Sequence, residues 1–306
     1  MPHIPPGPPP PVHWPMQLWK ADGQGARDFY ALANNMEYDE TFADANPATY
    51  DSPTSRFTHV LHYLDGRIAR VFLVPDWLTA LWWSRTAGKG YTVGFPRGAL
   101  EFDATGITEL IFDCHEGTFS ALWGSGEAHL FACGYLPFAL HRNDGVWQHL
   151  ALPAGCTDLL HDIGGSSETE VYFVGADGTL LYFDGISVQA MEVDTTRHLY
   201  CIAPLAGGLF CIGGASGLLL MGNHAGFRVV PSGVDDNIES IAHFDGSVYF
   251  LSEDRLHAFD GKASPRTVLR QQFESVATLG DALLLQDGTD AWLYDGRQLV
   301  PLATTV

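Results

Sequence analysis

The sequence predicts an all-β protein, a β-propeller of seven blades with four antiparallel strands each. Glycines that close short strands recur every 35 to 41 residues, a period that fits four antiparallel strands and their turns. They are Gly66, Gly106, Gly145, Gly185, Gly226, Gly261 and Gly296. In addition, 46% of the 306 residues are hydrophobic and 12% are aromatic, which suffices for a continuous core. We therefore expect a single repeat domain over residues 13–306.

Each repeat predicts four strands. In residues 170–193, EVYFVGADGTLLYFDGISVQAMEV, alternating apolar runs are separated by a glycine-containing turn and an Asp-Gly turn, which supplies the positive φ angles of a tight hairpin. A further apolar run lies between repeats, as in TFSALWG (118–124) and LYCIAPL (199–205). We assign this run as the innermost strand of a blade and the run after each Asp-Gly as the outermost.

The N-terminal part of the chain departs from the repeat. Residues 1–12 are mostly proline and glycine and predict an extended, disordered tail. Residues 13–74 predict an irregular first blade, with its last two strands in 57–74. Large residues at near-helical spacing favour a short helix or loop for 26–38. The alternative is a propeller of six blades, decorated by residues 1–56.

The tract ALWGSGEAHLFACG (121–134), followed by HRNDGVWQHLAL, resembles a bacterial β-propeller repeat of the WGSG…VG…DG type, and VYFVGADGTLLYFDG repeats its second half. The resemblance covers roughly residues 57–300, and its motifs specify a fold rather than a function. The Gly-His…Trp-Asp pairing of WD40 repeats and the tyrosine and tryptophan spacing of kelch repeats are missing. Proteins of this general shape serve as ligand sensors, lectins, assembly factors, lyases and toxin-neutralising proteins.

A net charge of −20, from 36 acidic and 16 basic residues, limits the partners. Such a field repels phosphate backbones and anionic membranes and attracts basic proteins, so neither nucleic-acid nor membrane binding is expected. Five cysteines without a CxxC pair, most of them in apolar runs, indicate a reducing compartment. The sequence shows no secretory signal and no apolar run of membrane-spanning length, so we expect a cytoplasmic, monomeric protein.

Patterns of known catalytic and metal sites are missing from the sequence. His59 and His62 are three residues apart on a predicted strand and therefore point to opposite faces of a sheet. The serine of GGASGL (213–218) is misplaced for a nucleophile elbow, and the glycines open a strand rather than the helix of a nucleotide-binding loop. We therefore predict no enzyme activity, catalytic residue, cofactor or metal.

Three segments supply candidate partner-binding residues. Residues 36–51 interrupt the repeat and mix carboxylates, which steer a basic partner, with aromatic rings, which anchor it. VDDNIE (234–239) lies on the connection from an outer strand to the next inner strand, and DWLTALWWSRT (76–86) contains adjacent tryptophans that point to opposite faces. The candidates are Glu37, Tyr38, Asp39, Glu40, Phe42, Asp44, Asp76, Trp82, Trp83, Asp235, Asp236 and Glu239. Solvated loops and core packing of the tryptophans explain the same residues without a partner.

These observations predict a non-enzymatic propeller that binds a basic protein, in its specific form an immunity protein that neutralises a toxin or effector. The alternative is a carbohydrate-binding (lectin-like), small-molecule-binding, lyase or hydrolase propeller with its site at the mouth of the central channel. A third hypothesis is a structural module of a larger complex, which a broad apolar patch would indicate.

Overall fold

The computed structural model describes residues 3–4, 16–35, 58–74, 76–95, 98–110, 118–156, 159–253, 255–288 and 290–303. These residues form seven antiparallel sheets, each built from four strands consecutive in sequence, and one sheet has a fifth strand at its edge. This is a seven-bladed β-propeller, as predicted. The six-bladed alternative is wrong, because residues 16–35 supply the first two strands of a blade.

The strands follow the blades in chain order. A two-residue strand, β1 (His3–Ile4), lies within the predicted tail and pairs with the outer strand of blade 2, whereas the rest of that tail lies outside the described residues. Blade 1 consists of β2 (Met16–Gly25), β3 (Asp28–Asn35), β4 (Thr58–Leu64) and β5 (Arg67–Val74); blade 2 of β6 (Trp77–Ser84), β7 (Lys89–Phe95), β8 (Gly98–Phe102) and β9 (Ile107–Leu110). Blade 3 consists of β10 (Thr118–Gly126), β11 (His129–Tyr135), β12 (Phe138–Asn143) and β13 (Val146–His149); blade 4 of β14 (Leu160–Ser167), β15 (Glu170–Gly175), β16 (Leu180–Phe183) and β17 (Val188–Ala190). Blade 5 consists of β18 (Leu199–Leu205), β19 (Leu209–Gly214), β20 (Leu219–Asn223) and β21 (Gly226–Val229); blade 6 of β22 (Ser240–Phe244), β23 (Ser247–Ser252), β24 (Arg255–Phe259) and β25 (Arg266–Leu269). Blade 7 consists of β26 (Ser275–Thr278), β27 (Leu283–Gln286), β28 (Ala291–Tyr294) and β29 (Leu299–Leu302).

In the described ranges, no helix is long and apolar enough to cross a membrane.

The contacts divide the chain into two units, and the first comprises Met1–Phe112 and Leu279–Val306. It brings residues from both ends of the sequence into one core. Leu18 of β2 shares a buried cluster with Leu284 of β27 and Leu302 of β29. Asp281 strengthens this junction, since its Oδ1 accepts a hydrogen bond from the backbone N–H of Ala26 at 2.7 Å.

Strand β3 corrects the helix or loop predicted for residues 26–38. Phe29 and Ala31 pack into one core cluster, and Tyr30 and Leu32 pack into another, so the strand is buried on both faces. Such a strand lacks the alternating polar residues that identify a strand in sequence. The large apolar residues of β3 therefore matched the spacing expected of a helix, which explains the wrong prediction.

The second unit, Asp113–Thr278, contains blades 3 to 6 and β26. Within it, β10, β14, β18, β22 and β26 contact one another in that order, which confirms for these blades that the first strand is innermost. Polar side chains join these inner strands. Ser120 Oγ on β10 donates to the carbonyl of Leu160 at 2.6 Å, and Asp162 Oδ2 on β14 accepts from the backbone N–H of Ile202 at 2.9 Å.

The recurrent Asp-Gly pairs form hairpin turns, as predicted. Asp144 has φ 47° and Gly145 has φ 87°, and the pair Asp65 and Gly66 has φ 50° and 76°. Two successive residues with positive φ are what a two-residue hairpin between twisted strands requires. Gly66 and Gly145 of the periodic series are therefore turn residues of hairpins.

Candidate functional site

One face of the second unit is built from the turns between second and third strands and from the connections that lead from an outer strand to the next inner strand. We call it the turn face, and it comprises residues 135–137, 176–178, 191–198, 215–217, 230–239 and 253 with the first two residues of β14 and β18. Hydrogen bonds join its segments. Ile238 N–H donates to the carbonyl of Gly214 at 3.0 Å, and Ser232 Oγ donates to the carbonyl of Gly217 at 2.6 Å.

Four turns of this face each place a non-glycine residue in the left-handed region of φ. They are Leu136 (62°), Asp177 (51°), Ser216 (52°) and Glu253 (51°). Aspartate visits this region more readily, because its short polar side chain bonds locally, whereas a bulky apolar residue has no such compensation. Leu136 is also 67% exposed. The chain thus holds an apolar side chain in water in a conformation that leucine rarely adopts.

The predicted acidic segment, residues 234–239, lies on the turn face between β21 and β22. Asp235, Asp236 and Glu239 are exposed there. Asn237 holds the segment in place, since its Oδ1 accepts from Ser216 N–H at 3.0 Å and its Nδ2 donates to Glu239 Oε1 at 3.0 Å. The predicted position of these carboxylates is confirmed, and their role in binding stays a prediction.

Four aromatic rings from three neighbouring blades contact one another on the turn face. We name them the aromatic ladder: Tyr135, His161, His198 and Tyr200. The ring centroid of His161 lies 6.5 Å from that of Tyr135, 6.5 Å from that of His198 and 5.6 Å from that of Tyr200. The rings meet at tilted or perpendicular angles, which aromatic pairs prefer to face-to-face stacking. Tyr135 and His198 are exposed, and the other two rings are half-buried.

β-Bulges aim two rings of the ladder. The register of β14 against β15 skips His161, and the register of β18 against β19 skips Tyr200. A bulge leaves its extra residue unpaired and re-aims the side chain. Our sequence reasoning missed the ladder, although a ring stands at the second position of two successive inner strands, LHDI and LYCI.

Asp177 and His198 set the charge of the ladder. The backbone N–H of Asp177 donates to His198 Nδ1 at 3.1 Å, which places the proton of a neutral imidazole on Nε2. The Asp177 carboxylate lies 3.7 Å from the same nitrogen and remains 65% exposed. Burial, with a smaller contribution from the charge of His198, lowers the pKa of His161, so this ring is neutral at pH 7.

Two candidates in the first unit are corrected by the structure. Asp76 and Trp83 are buried, so the prediction that they contact a partner is wrong: neither offers surface. The ring of Trp83 packs on Tyr30 with centroids 4.8 Å apart. Its neighbour Trp82 is half-buried, in agreement with the prediction that one tryptophan enters the core while the other faces outward.

The exposed tryptophan of this segment is Trp77, which was not a candidate. It is 41% exposed and stacks on Trp19 with centroids 5.5 Å apart. The remaining candidates, Glu37, Tyr38, Asp39, Glu40, Phe42 and Asp44, lie outside the described residues, and their role stays a prediction.

One polar cluster of the second unit contains the residue types of a catalytic triad in a different order. Glu170 accepts hydrogen bonds from Ser166 and, at 3.0 Å, from Tyr172 OH, and His224 Nδ1 lies 3.4 Å from the same carboxylate. A nucleophilic serine needs the imidazole as its base, with the carboxylate behind the imidazole. Burial opposes ionisation here, but the bonds from Ser166, Tyr172 and His224 lower the pKa of Glu170. The cluster is therefore a structural network around a charged acceptor.

Two buried thiols and two histidines of the described residues also lack the features of reactive sites. Burial raises the pKa of the Cys133 thiol above its usual range and that of Cys211 to about 12, so both thiols stay protonated. His59 and His62 lie on opposite faces of β4, as predicted, because neighbouring residues of that strand enter two different core clusters. Among the residues that the structure describes, no group of three or more His, Cys, Asp or Glu could hold a metal ion.

Comparison with known proteins gives a fold and one partial relative. No family model matches the chain. The "Immune protein Tsi7" of Pseudomonas aeruginosa is 32% identical over 112 residues, which are 36% of this chain and 37% of that protein. The match thus spans little more than a third of the relative's length.

Solved structures of similar fold cover more of the chain at lower identity. The WD40 β-propeller domain of Doa1 superposes with a TM-score of 0.64 at 11% identity, over 94% of this chain and 95% of that one. YCF48 from Cyanidioschyzon merolae gives a TM-score of 0.57 at 13% identity over 74% of this chain and 84% of that one, and YCF48 bound to D1 peptide gives 0.58 at 13% over 73% and 81%. At these identities the likeness establishes the fold alone.

Proposed function

We propose that this protein is a non-enzymatic propeller that binds a basic protein and neutralises it, as an immunity protein does with a toxin. The observation that carries the proposal is the partial similarity to an immune protein, 32% identical over 112 residues. The same proposal puts the protein in the cytoplasm and among bacterial propellers with WGSG…VG…DG repeats. It concerns binding rather than catalysis.

The charge of the turn face supports a basic partner. Its exposed carboxylates are Asp177, Glu192, Asp194, Asp235, Asp236, Glu239 and Glu253. Complementary charge at an interface raises the association rate and disfavours partners of the wrong sign. The net charge of −20 adds a long-range attraction of the same sign. A basic toxin would therefore be steered to this face.

The construction of the turn face supports binding with little rearrangement. Hydrogen bonds from Ser216 to Asn237 and from Ser232 to Gly217 fix the loops before any partner arrives. Loops ordered in advance lose less conformational entropy on association than flexible loops do. The rings of the aromatic ladder add the residue type that dominates binding energy in protein interfaces.

The test is direct binding to a panel of purified toxin domains, half of them basic and half acidic, together with the product of the gene adjacent to this one. Biolayer interferometry at about 50 and 300 mM NaCl measures both affinity and salt dependence. We expect one basic domain to bind, faster at low salt, and to lose its toxicity in cells that express this protein. Binding to no domain at low salt would contradict the proposal.

A pair of variants with equal charge change locates the surface. The first is Asp235→Asn, Asp236→Asn and Glu239→Gln together, on the turn face. The matched control is Glu127→Gln, Asp144→Asn and Asp245→Asn, three exposed carboxylates in hairpin turns of the second unit. We expect the first triple variant to slow association several-fold and the control to change it little. Equal effects would assign the attraction to net charge alone.

A further inference from the structure

The aromatic ladder is rich in aromatic side chains, as binding sites are, whereas a solvent-exposed loop surface without a binding role is mostly polar. Its four rings come from β11, β14 and β18 and from the residue that precedes β18, so three blades contribute to one continuous patch. Leu136 follows Tyr135 directly in the chain and is also exposed. Exposed aromatic residues of this kind cluster at the energetic centres of protein interfaces.

Leu136 is the residue beside the ladder whose identity is least explained by the needs of the fold. The equivalent turns of blades 4 and 6 use Asp177 and Glu253, and that of blade 5 uses Ser216, all polar residues suited to a left-handed, exposed position. Leucine is disfavoured there by its backbone and by its exposure. A strained residue that persists at the surface points to a role in function.

The exposed rings of the ladder suit a flat cation. Tyr135 and His198 are exposed, and they meet His161 at interplanar angles of 79° and 85°, so neither ring is stacked face to face on His161. The neighbouring carboxylate of Asp177 is exposed. A planar guanidinium can stack on a ring while it donates two hydrogen bonds to a carboxylate, which an ammonium group cannot do.

Among the described residues, the two basic side chains beside Asp177 do not fill this role. His198 accepts the hydrogen bond from the backbone N–H of Asp177 at Nδ1, so this nitrogen has no proton to donate to the Asp177 carboxylate. Arg197 directs its guanidinium to the carbonyl of Ser216, to which it donates at 3.2 Å. The Asp177 carboxylate therefore remains accessible to a cation from outside the chain.

We infer that the aromatic ladder, with Leu136 and Asp177, is a binding site for arginine side chains of a partner protein. The inference rests on the proposed function and names the partner's contacting residue type. An arginine of the partner stacks on the exposed rings and pairs with Asp177, and an apolar side chain beside it covers Leu136. The acidic segment 234–239 then attracts the basic partner during association, and the aromatic ladder slows its dissociation.

A test without the partner uses N-acetyl-L-arginine amide as the probe and N-acetyl-L-lysine amide as its comparison. The ring signals of His161 and His198 are followed by NMR, with His224 as the internal control, because it stacks on Tyr182 in a second tyrosine–histidine pair. We expect saturable shifts of His161 and His198 with the arginine probe, and at least threefold weaker binding of the lysine probe. Equal shifts at His224, equal binding of both probes, or no shifts would overturn the inference.

Matched variants assign the site. We expect Tyr200→Leu to weaken binding of the arginine probe at least threefold and Tyr182→Leu to leave it unchanged. Thermal unfolding of both variants verifies that each is folded. An unchanged affinity in folded Tyr200→Leu would overturn the inference, as would an equal loss in both variants.

The toxin domain that binds the wild-type chain separates this inference from the proposed function. We expect Leu136→Asn and Asp177→Asn each to weaken that complex at least tenfold through faster dissociation. If the domain binds wild type and both variants equally, the ladder site is wrong and the proposed function stands. If no domain binds but the arginine probe does, the ladder site stands and the toxin proposal is wrong.

Discussion

Asp22 on β2 accepts a hydrogen bond from the backbone N–H of Trp83 on β6 at 2.9 Å, so a carboxylate joins the inner strands of blades 1 and 2. Arg85 lies 2.9 Å from the other carboxylate oxygen. Burial raises the pKa of Asp22 to about 6, although Arg85 and the hydrogen bonds from Trp83 and Gly23 lower it. The desolvation of the charged form outweighs its partners.

This balance predicts a pH-dependent effect of Asp22→Asn. The folded pKa of about 6 exceeds the ordinary aspartate value of 3.8, so the native state keeps a proton that the unfolded chain releases between these values. The contribution of Asp22 to stability is therefore greatest in acid and falls as pH rises toward 6. We expect Asp22→Asn to cost about 2 kcal/mol less at pH 7 than at about pH 4, measured by urea unfolding. Asp245→Asn is the control, and an equal cost of Asp22→Asn at both pH values would contradict the assignment.

Gly217→Ala tests the packing of the turn face. Gly217 has φ 70°, and a Cβ there would overlap the carbonyl oxygen of Val234, so the variant faces both backbone strain and a clash with the acidic segment. Gly66 has φ 76°, and a Cβ added there would meet no other atom within 4 Å. Gly66→Ala is therefore destabilised only by the left-handed backbone conformation, by about 1 kcal/mol. We expect Gly217→Ala to cost at least 1 kcal/mol more in denaturant unfolding, and equal costs would show that the loop yields freely.

The fold was predictable because local sequence patterns specify the turns and their spacing. Asp-Gly pairs such as Asp144-Gly145 impose hairpins wherever they occur, and repetition at a near-constant spacing specifies a propeller. The same logic failed at β3, whose residues are buried on both faces by contacts with strands distant in sequence. Alternation is lost when both faces are apolar.

The candidate site was predictable only in part, for a geometric reason. The position of the carboxylates in residues 234–239 was predicted correctly, because the order of the strands alone places a charged segment in the connection between two of them. His161 and Tyr200 were missed because each is the extra residue of a bulge, and a bulge is a property of the pairing partner as well. Burial of Asp76 likewise depends on neighbours that a local pattern does not reveal.

Exchange of the left-handed turn residues predicts opposite effects on stability. Leu136→Asp gives blade 3 the residue of blade 4 at a φ of 62°, and Asp177→Leu does the reverse at 51°. We expect the first variant to stabilise the chain by about 0.5–1 kcal/mol and the second to destabilise it by a similar amount, because aspartate tolerates this conformation better. Thermal and urea unfolding measure both. A gain for Leu136→Asp together with loss of partner binding is the signature of a residue kept for function. Destabilisation by Leu136→Asp would show that Leu136 is a packing residue.

Protonation of the ladder predicts that partner binding weakens in acid. The ring centroids of His161 and His198 lie 6.5 Å apart, with Tyr135, Tyr200 and Asp177 around them. Burial lowers the pKa of His161, so this ring is neutral near pH 7 and takes up a proton only in acid, where its positive charge repels an incoming guanidinium.

We expect the affinity for a basic partner to fall about fivefold between pH 7.5 and 5.5, measured by calorimetry. The double variant His161→Gln and His198→Gln should bind with little dependence on pH in this range, because glutamine keeps hydrogen-bonding capacity and carries no charge. His149→Gln, an exposed histidine on β13, is the control and should retain the wild-type pH profile. A double variant that still loses affinity in acid would place the titrating group elsewhere and remove the ladder from the interface.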